Sequence, residues 1–291
     1  MRRLTFLLIL YLSRETVPLH AQDATLPVKQ GSVRFVAIGD MGTGDPPQYE
    51  LAQRMLQFRD KFPFNFAIML GDNIYGGKGP DQLRKKFEIP YKPLLDAGVQ
   101  FYAALGNHDD PNERFYKLFN MNGERYYTFK KGNVRFFALD STYLDPKQFT
   151  WLESELAKAG NDWKICYFHH PLYSSGAFHG SATELRAVLE PLFLKYGVQV
   201  AIAGHEHLYE RTKPQKGIYY FTEGASGQLR PGNLKKTDFT AAGYDKDLSF
   251  LSIEISGDDL FFQAISRTGA IVDSGTIRRL VESSAVAPVK Q

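Results

Sequence analysis

Five short stretches of this chain place a side chain able to bind metal directly after an apolar run. They hold Asp40 in "GDMG", Asp72 in "GDNIY", Asn107 in "GNHD", a histidine at 169 or 170 in "FHHP", and His205 with His207 in "GHEH". Each alone has an ordinary explanation, since Gly-Asp after a strand is often a turn whose carboxylate caps the next helix. His205 and His207 say more, because residues two apart on an extended segment point to the same side. Together the donors outnumber the about four to six positions around one ion, so two ions sharing a carboxylate is the simplest solution. Asp72, central in the order, is the candidate bridge. Oxygen and imidazole without thiolate suit iron, manganese or zinc, and disfavour calcium, which takes oxygen.

Tyr75 stands three residues beyond Asp72. A phenol keeps its proton up to a pKa of about 10, so it is a poor ligand unless a strong local charge removes that proton. Trivalent iron is such a charge, and a hard phenolate suits it. A turn rather than a straight strand must bring Tyr75 back to Asp72, and Gly76 and Gly77 supply the backbone freedom for it.

Such donors need a rigid base. The β-rich apolar runs "VRFVAIGD", "NFAIMLGD", "VQFYAALGNHD", "VRFFALDS", "WKICYFHH" and "VQVAIAGHEH" alternate with helical stretches, the layout of an α/β protein. In open α/β sheets, ligands bind beyond the carboxyl ends of strands, which is where these donors stand. The predicted helices are "PQYELAQRMLQFRDKF", "PDQLRKKF" with its continuation, "DPKQFTWLESELAKAG" and "SATELRAVLEPLFLKYG". The third closes at Gly160; the last opens with a capping box from Ser181 to Glu184 and closes at Gly197. From about Lys216 strands take over, in "GIYYFTEG", "LSFLSIEIS", "DLFFQAIS" and "AIVDSGTIRRL".

Arg2 and Arg3, the apolar run "LTFLLILYL" and small Ala21 have the layout of a secretory signal over residues 1–22, which implies export. The apolar run is too short to span a bilayer, so no stable membrane insertion is expected once the signal is removed. No repeat or linker divides the rest, so one domain over 31–281 is expected, with a disordered tail at 282–291. Cys166 is the only cysteine, which excludes an internal disulfide. A net charge of +3, with Arg2, Arg3 and Arg14 in the leader, leaves no electrostatic footprint for nucleic acid.

In this order, "GDMG", "GDNIY", "GNHD", "HHP" and "GHEH" resemble the blocks of the calcineurin-like metallophosphoesterases, over roughly Val33 to Glu223. With Tyr75 included, they are most similar to small, single-domain purple acid phosphatases of the tartrate-resistant type. The resemblance implies two packed mixed β-sheets flanked by helices, with the metals at one edge. It implies Fe(III) on Asp40, Tyr75 and His207, a divalent ion (Fe, Zn or Mn) on Asn107, His169 and His205, and Asp72 bridging. The family's His-x-Pro order selects His169 over His170, which the residues alone leave open. His108 would contact phosphate, and the block "AFHG" nominates His179 as the proton donor to the leaving group. Met41 and Asp110 depart from the pattern, where Trp and a second His are usual, and so concern the pocket wall and leaving-group environment. The implied function is an exported acid phosphatase that hydrolyses small phosphate monoesters with hydroxide as nucleophile. A phosphodiesterase or nucleotide hydrolase using two divalent ions is the nearest alternative. An exported, metal-stabilised binding module without catalysis is the alternative of another class. Tyr173, Tyr209, Arg211 and the loop "TEGASGQLRPGN" are candidates for the rim.

Overall fold

The computed structural model describes residues 26–279, so the expected leader and tail lie outside the described residues. The chain opens with β1 (Val33–Ile38), α1 (Pro46–Arg59) and β2 (Phe66–Leu70). A short α2 (Pro80–Leu83) passes through a π turn into α3 (Ile89–Asp96), followed by β3 (Gln100–Ala104). A hairpin of β4 (Tyr127–Lys131) and β5 (Val134–Ala138) leads to α4 (Pro146–Lys158), β6 (Trp163–Tyr167), α5 (Thr183–Lys195) and β7 (Val200–Ala203). The remaining strands are β8 (Tyr209–Thr212), β9 (Tyr219–Glu223), β10 (Thr240–Tyr244), β11 (Ser249–Ser256), β12 (Asp259–Ser266) and β13 (Ile271–Arg278).

They form two mixed sheets, ordered β13-β12-β11-β1-β2-β3 and β10-β8-β9-β7-β6-β5-β4. Side chains alternate between the two faces of a strand, and β2, β6 and β7, covered on both faces, are buried throughout and read as nearly continuous apolar runs. Phe35 and Ala37 of β1 enter the core between the sheets with Phe136, Ile165 and Leu251. Val36 and Ile38 enter a second core beneath α1 and α3, with Leu51, Met55, Phe87 and Tyr91. A third core joins the outer face of the second sheet to α4 and α5 through Leu152, Leu156, Leu189 and Phe193, and buries Cys166. Among the described residues, no helix is long and apolar enough to cross a membrane.

Gly160 and Gly197 close α4 and α5 as expected, with φ of 53° and 64° in the left-handed region that glycine tolerates. The Ser181 capping box does not form. Helix α5 begins at Thr183 without a side-chain cap, because the Ser181 hydroxyl is occupied with Ser174, accepting from its N–H at 3.0 Å and donating to its carbonyl at 3.2 Å. A capping box does form where none was expected, between Asp110 and Glu113, at the short 3-10 turn Pro111–Phe115. Asp110 is thus tied to a backbone turn.

Candidate metal centre

Every strand carrying a predicted donor runs with its carboxyl end toward one edge of the two-sheet stack. Asp40, Asp72 and Asn107 follow β1, β2 and β3, which are parallel neighbours; His169 and His205 follow the parallel pair β6 and β7. The recurrent glycine before the donor has a steric cause. A Cβ on Gly106 would lie 2.2 Å from Asp72 Oδ1, and one on Gly204 would lie 2.5 Å from Asp40 Oδ2, so each missing side chain is space taken by a donor from another strand. Asp40, Asp72 and His205 adopt φ of 54°, 49° and 69°. Non-glycine residues in that region carry strain that a packed surrounding must hold in place.

The donor atoms fall into two groups. In one, Tyr75 Oη donates to Asp40 Oδ1 at 3.0 Å and lies 3.2 Å from His207 Nε2, which is 3.3 Å from the same Asp40 oxygen. In the other, His169 Nε2 lies 3.0 Å from Asn107 Oδ1, 3.0 Å from His205 Nδ1 and 3.4 Å from Asp72 Oδ1. Asp40, Asp72 and His169 offer ligand atoms within 4.8 Å of one another, linking the groups. His170 also lies close, its ring 4.4 Å from that of His205, but its Nδ1 is bonded to Ser141 Oγ at 2.9 Å.

The chemistry of this donor set fits a cation. His169 Nδ1 faces the Leu70 carbonyl at 2.9 Å, so it carries a proton there, and Nε2 faces two acceptors, the Asn107 oxygen and the Asp72 carboxylate. Acceptors facing acceptors repel unless a positive charge sits among them. Burial lowers the His169 pKa, yet the carboxylates of Asp40 and Asp72 outweigh it and push the imidazole up to about 9, so a proton is drawn to the place a metal would take. Burial, then the Asp40 and Asp72 charges, push the Tyr75 phenol well above its ordinary range. Only a strong nearby cation would remove that proton.

His108 donates its backbone N–H to Asp72 Oδ1 at 2.9 Å and leaves its half-exposed ring at the mouth, 5.0 Å from the Tyr75 ring. The His179 ring lies 3.9 Å from that of His205, tilted by 33°. Burial lowers the His179 pKa, partly offset by Glu206 and reinforced by Arg230. The other rim candidates do not reach the mouth. Tyr209 is fully buried, and its hydroxyl donates to Asp273 at 2.7 Å, where Arg211 also forms a two-point ion pair at 2.7 and 3.1 Å. Tyr173 donates to Glu190 at 2.7 Å beneath Arg186. These three serve packing and ion pairing. The loop is another matter: Gln228 N–H bonds the Asp40 carbonyl, and Arg230 N–H the His207 carbonyl, each at 3.1 Å.

Sequence reasoning missed Glu206. Its fully buried carboxylate accepts from the N–H groups of His179 (2.7 Å) and Gly180 (2.5 Å) and from Asn233 Nδ2 (2.5 Å). His205 to Leu208 form a bend and not the extended segment expected, with His205 at φ 69°, so it is this bend that turns Glu206 inward, where a buried charge needs partners.

A family model described as Calcineurin-like phosphoesterase matches residues 33–209. Tartrate-resistant acid phosphatase type 5 of Rattus norvegicus is 25% identical over 325 residues, covering 90% of this chain and 98% of its own. Purple acid phosphatase 17 of Arabidopsis thaliana is 26% identical over 241 residues, covering 70% and 71%. Among solved structures, GAP50, titled the anchor in the inner membrane complex of Plasmodium, has a TM-score of 0.76 at 20% identity, covering 87% of this chain and 90% of its own. Purple acid phosphatase PPD1 from yellow lupin (Lupinus luteus) has a TM-score of 0.71 at 23% identity, covering 87% and 55%. An anchor and a phosphatase thus share this fold, so activity must be argued from the site.

Proposed function

The chain belongs to the calcineurin-like phosphoesterase family, and from that premise we propose that it is an exported acid phosphatase of the purple type, acting on small phosphate monoesters. We read residues 31–281 as a single domain, because both sheets contribute to one shared core. The observation that carries the functional reading is the convergence of Asp40, Tyr75 and His207 as one donor group and Asn107, His169 and His205 as another, with Asp72 between them.

In this reading Asp40, Tyr75 and His207 would hold Fe(III), Asn107, His169 and His205 a divalent Fe, Zn or Mn, and Asp72 both. When bound, such a pair supplies positive charge to the phosphoryl oxygens and makes water acidic enough to serve as nucleophile. The chain's own residues supply the rest. His108, at the mouth, contacts the phosphate. His179 gives its proton to the leaving oxygen, and must therefore be protonated to act. Because burial holds its pKa below the ordinary histidine value, the acid form is present only in acidic solution, and turnover of poor leaving groups falls as pH rises through that depressed pKa. Glu206 keeps the His179 backbone in place.

Metal analysis and colour of the purified protein, with turnover of an aryl phosphate, test the proposal. We expect two ions per chain, one of them iron, a phenolate-to-iron absorption that Tyr75→Phe abolishes, and faster hydrolysis in acid. Two divalent ions and no colour would favour the diesterase or nucleotide-hydrolase alternative; bound metal without turnover would favour the binding module.

A further inference from the structure

Beside the candidate centre, Arg230 is a cation that forms no ion pair among the described residues. Arg125 and Arg211 are each matched to a carboxylate, Asp140 and Asp273, at 2.6 and 2.7 Å. Among the described residues, the Arg230 guanidinium makes no ion pair and no hydrogen bond, and its Nη1 is buried with no partner. Its contact is with a ring: the guanidinium carbon lies 3.7 Å from the centre of Phe178.

The placement is held from several sides. Arg230 N–H bonds the His207 carbonyl at 3.1 Å. The segment that follows is zipped to the His179 loop: Ala177 N–H donates to the Asn233 carbonyl, and Phe178 N–H to Asn233 Oδ1, each at 2.9 Å, while Gly176 bridges Leu234. Buried Glu206, in the bend between His205 and His207, ties both segments to the strand-β7 side of the centre. From His205 outward the groups run His179 (3.9 Å), Phe178 (4.6 Å) and Arg230 (3.7 Å). The contact with the ring face uses none of the N–H donors, so those of the guanidinium other than the buried Nη1 remain available to an oxyanion. Phe178 is 65% exposed, so this shelf is open to a ligand.

We infer that Phe178 and Arg230 form a leaving-group subsite, which selects substrates whose leaving group carries its own oxyanion, a second phosphate or a carboxylate. The inference rests on the phosphatase reading above and on His179 standing on the leaving-group side. In the reaction water adds its oxygen to phosphorus, and the bond from phosphorus to the leaving oxygen breaks with its electron pair on that oxygen. The leaving oxygen takes a proton, and inorganic phosphate departs with one proton fewer than the attacking water brought. Arg230 holds the second anion throughout and exchanges no proton.

The test compares kcat/KM of the metal-loaded enzyme on pyrophosphate, phosphoglycolate and 4-nitrophenyl phosphate, for wild type, Arg230→Gln and Arg230→Lys. Arg230→Gln should lower the ratio of an anionic substrate to the aryl phosphate by about 10- to 100-fold, the span for losing a charge-assisted hydrogen-bond pair. Arg230→Lys should recover part of it, since charge remains without the fork. A fall confined to pyrophosphate identifies phosphate as the preferred anion, and one confined to phosphoglycolate identifies carboxylate. Binding of methylenebisphosphonate, followed by calorimetry, should weaken by a similar factor and reads the subsite without turnover. Equal losses on all three substrates, with unchanged bisphosphonate affinity, would overturn the subsite while leaving the phosphatase reading intact. A wild-type enzyme that turns over none of them sinks the phosphatase reading and the subsite together.

Discussion

Glu206→Gln tests how the proton donor is held. The carboxylate has three donors aimed at it, His179 N–H and Gly180 N–H on Oε1 and Asn233 Nδ2 on Oε2. An amide can keep only one of those two oxygens. If its NH₂ replaces Oε1, two backbone N–H groups face a donor; if it replaces Oε2, Asn233 must turn and forfeit the bond from Phe178 N–H to its Oδ1. Either way at least one buried donor loses its partner, at about 1–3 kcal/mol. For a chain of this size that is a fall in Tm of about 2–12 °C. The kinetic effect should be larger, because misplacing a catalytic group by about 1 Å can cost about 100-fold in rate. We expect kcat on an alkyl phosphate, which needs the His179 proton, to fall about 10- to 100-fold. On 4-nitrophenyl phosphate, whose leaving group needs little protonation, the fall should be clearly smaller. Thermal melts and kcat on the two substrates are the assay. A variant with wild-type Tm and equal rate ratios would refute the argument, and so would one that loses both substrates in parallel, since that is the signature of a general structural lesion.

Three further outcomes follow from the same geometry. Asp72→Ala should bind fewer than two ions per chain by elemental analysis and lose activity with them, whereas full metal content would remove Asp72 from its shared position. His179→Ala should lower kcat on alkyl phosphates by about 10²- to 10⁴-fold, and an unchanged kcat would end its role as proton donor. Glu223 is pushed up to about 8 by burial, with Asp40 adding to the shift and the Ser249 hydroxyl opposing it. Its folded pKa lies above its unfolded value of 4.5, so between these the unfolded chain releases a proton that the folded chain keeps. The stability that Glu223 contributes should be fully present below about pH 4.5 and be lost as pH rises through about 8. In chelator-treated protein, Glu223→Gln should flatten that decline, and identical Tm–pH curves for the two proteins would contradict it.

Much of the architecture was visible in the chain, but unevenly. Strands buried on both faces, such as β1, β2 and β7, announce themselves as apolar runs, because both of their alternating faces need apolar residues. Strands β4, β8 and β10 escaped. β4 and β10 are the edges of their sheet and carry mixed residues such as Lys130 and Thr240. In β8, Glu210 is fully buried but satisfied by Ser175 N–H at 2.7 Å, a partner 35 residues away that no local pattern reveals. The Ser181 capping box failed for a similar reason, since Ser174 competed for the hydroxyl.

By itself, the sequence determined the donor types, their position after apolar runs and the glycines before them, because strand ends and close backbone approach are local matters of spacing and size. Which donors share an ion pocket, that His169 Nε2 turns inward while His170 bonds Ser141, and that Glu206 and Arg230 flank the His179 loop were decided only by the tertiary structure. Those relations depend on distances between segments as far apart as Asp40 and His205, 165 residues along the chain yet 2.7 Å apart from backbone N–H to carboxylate oxygen. Long-range packing sets such distances, and no local periodicity encodes them.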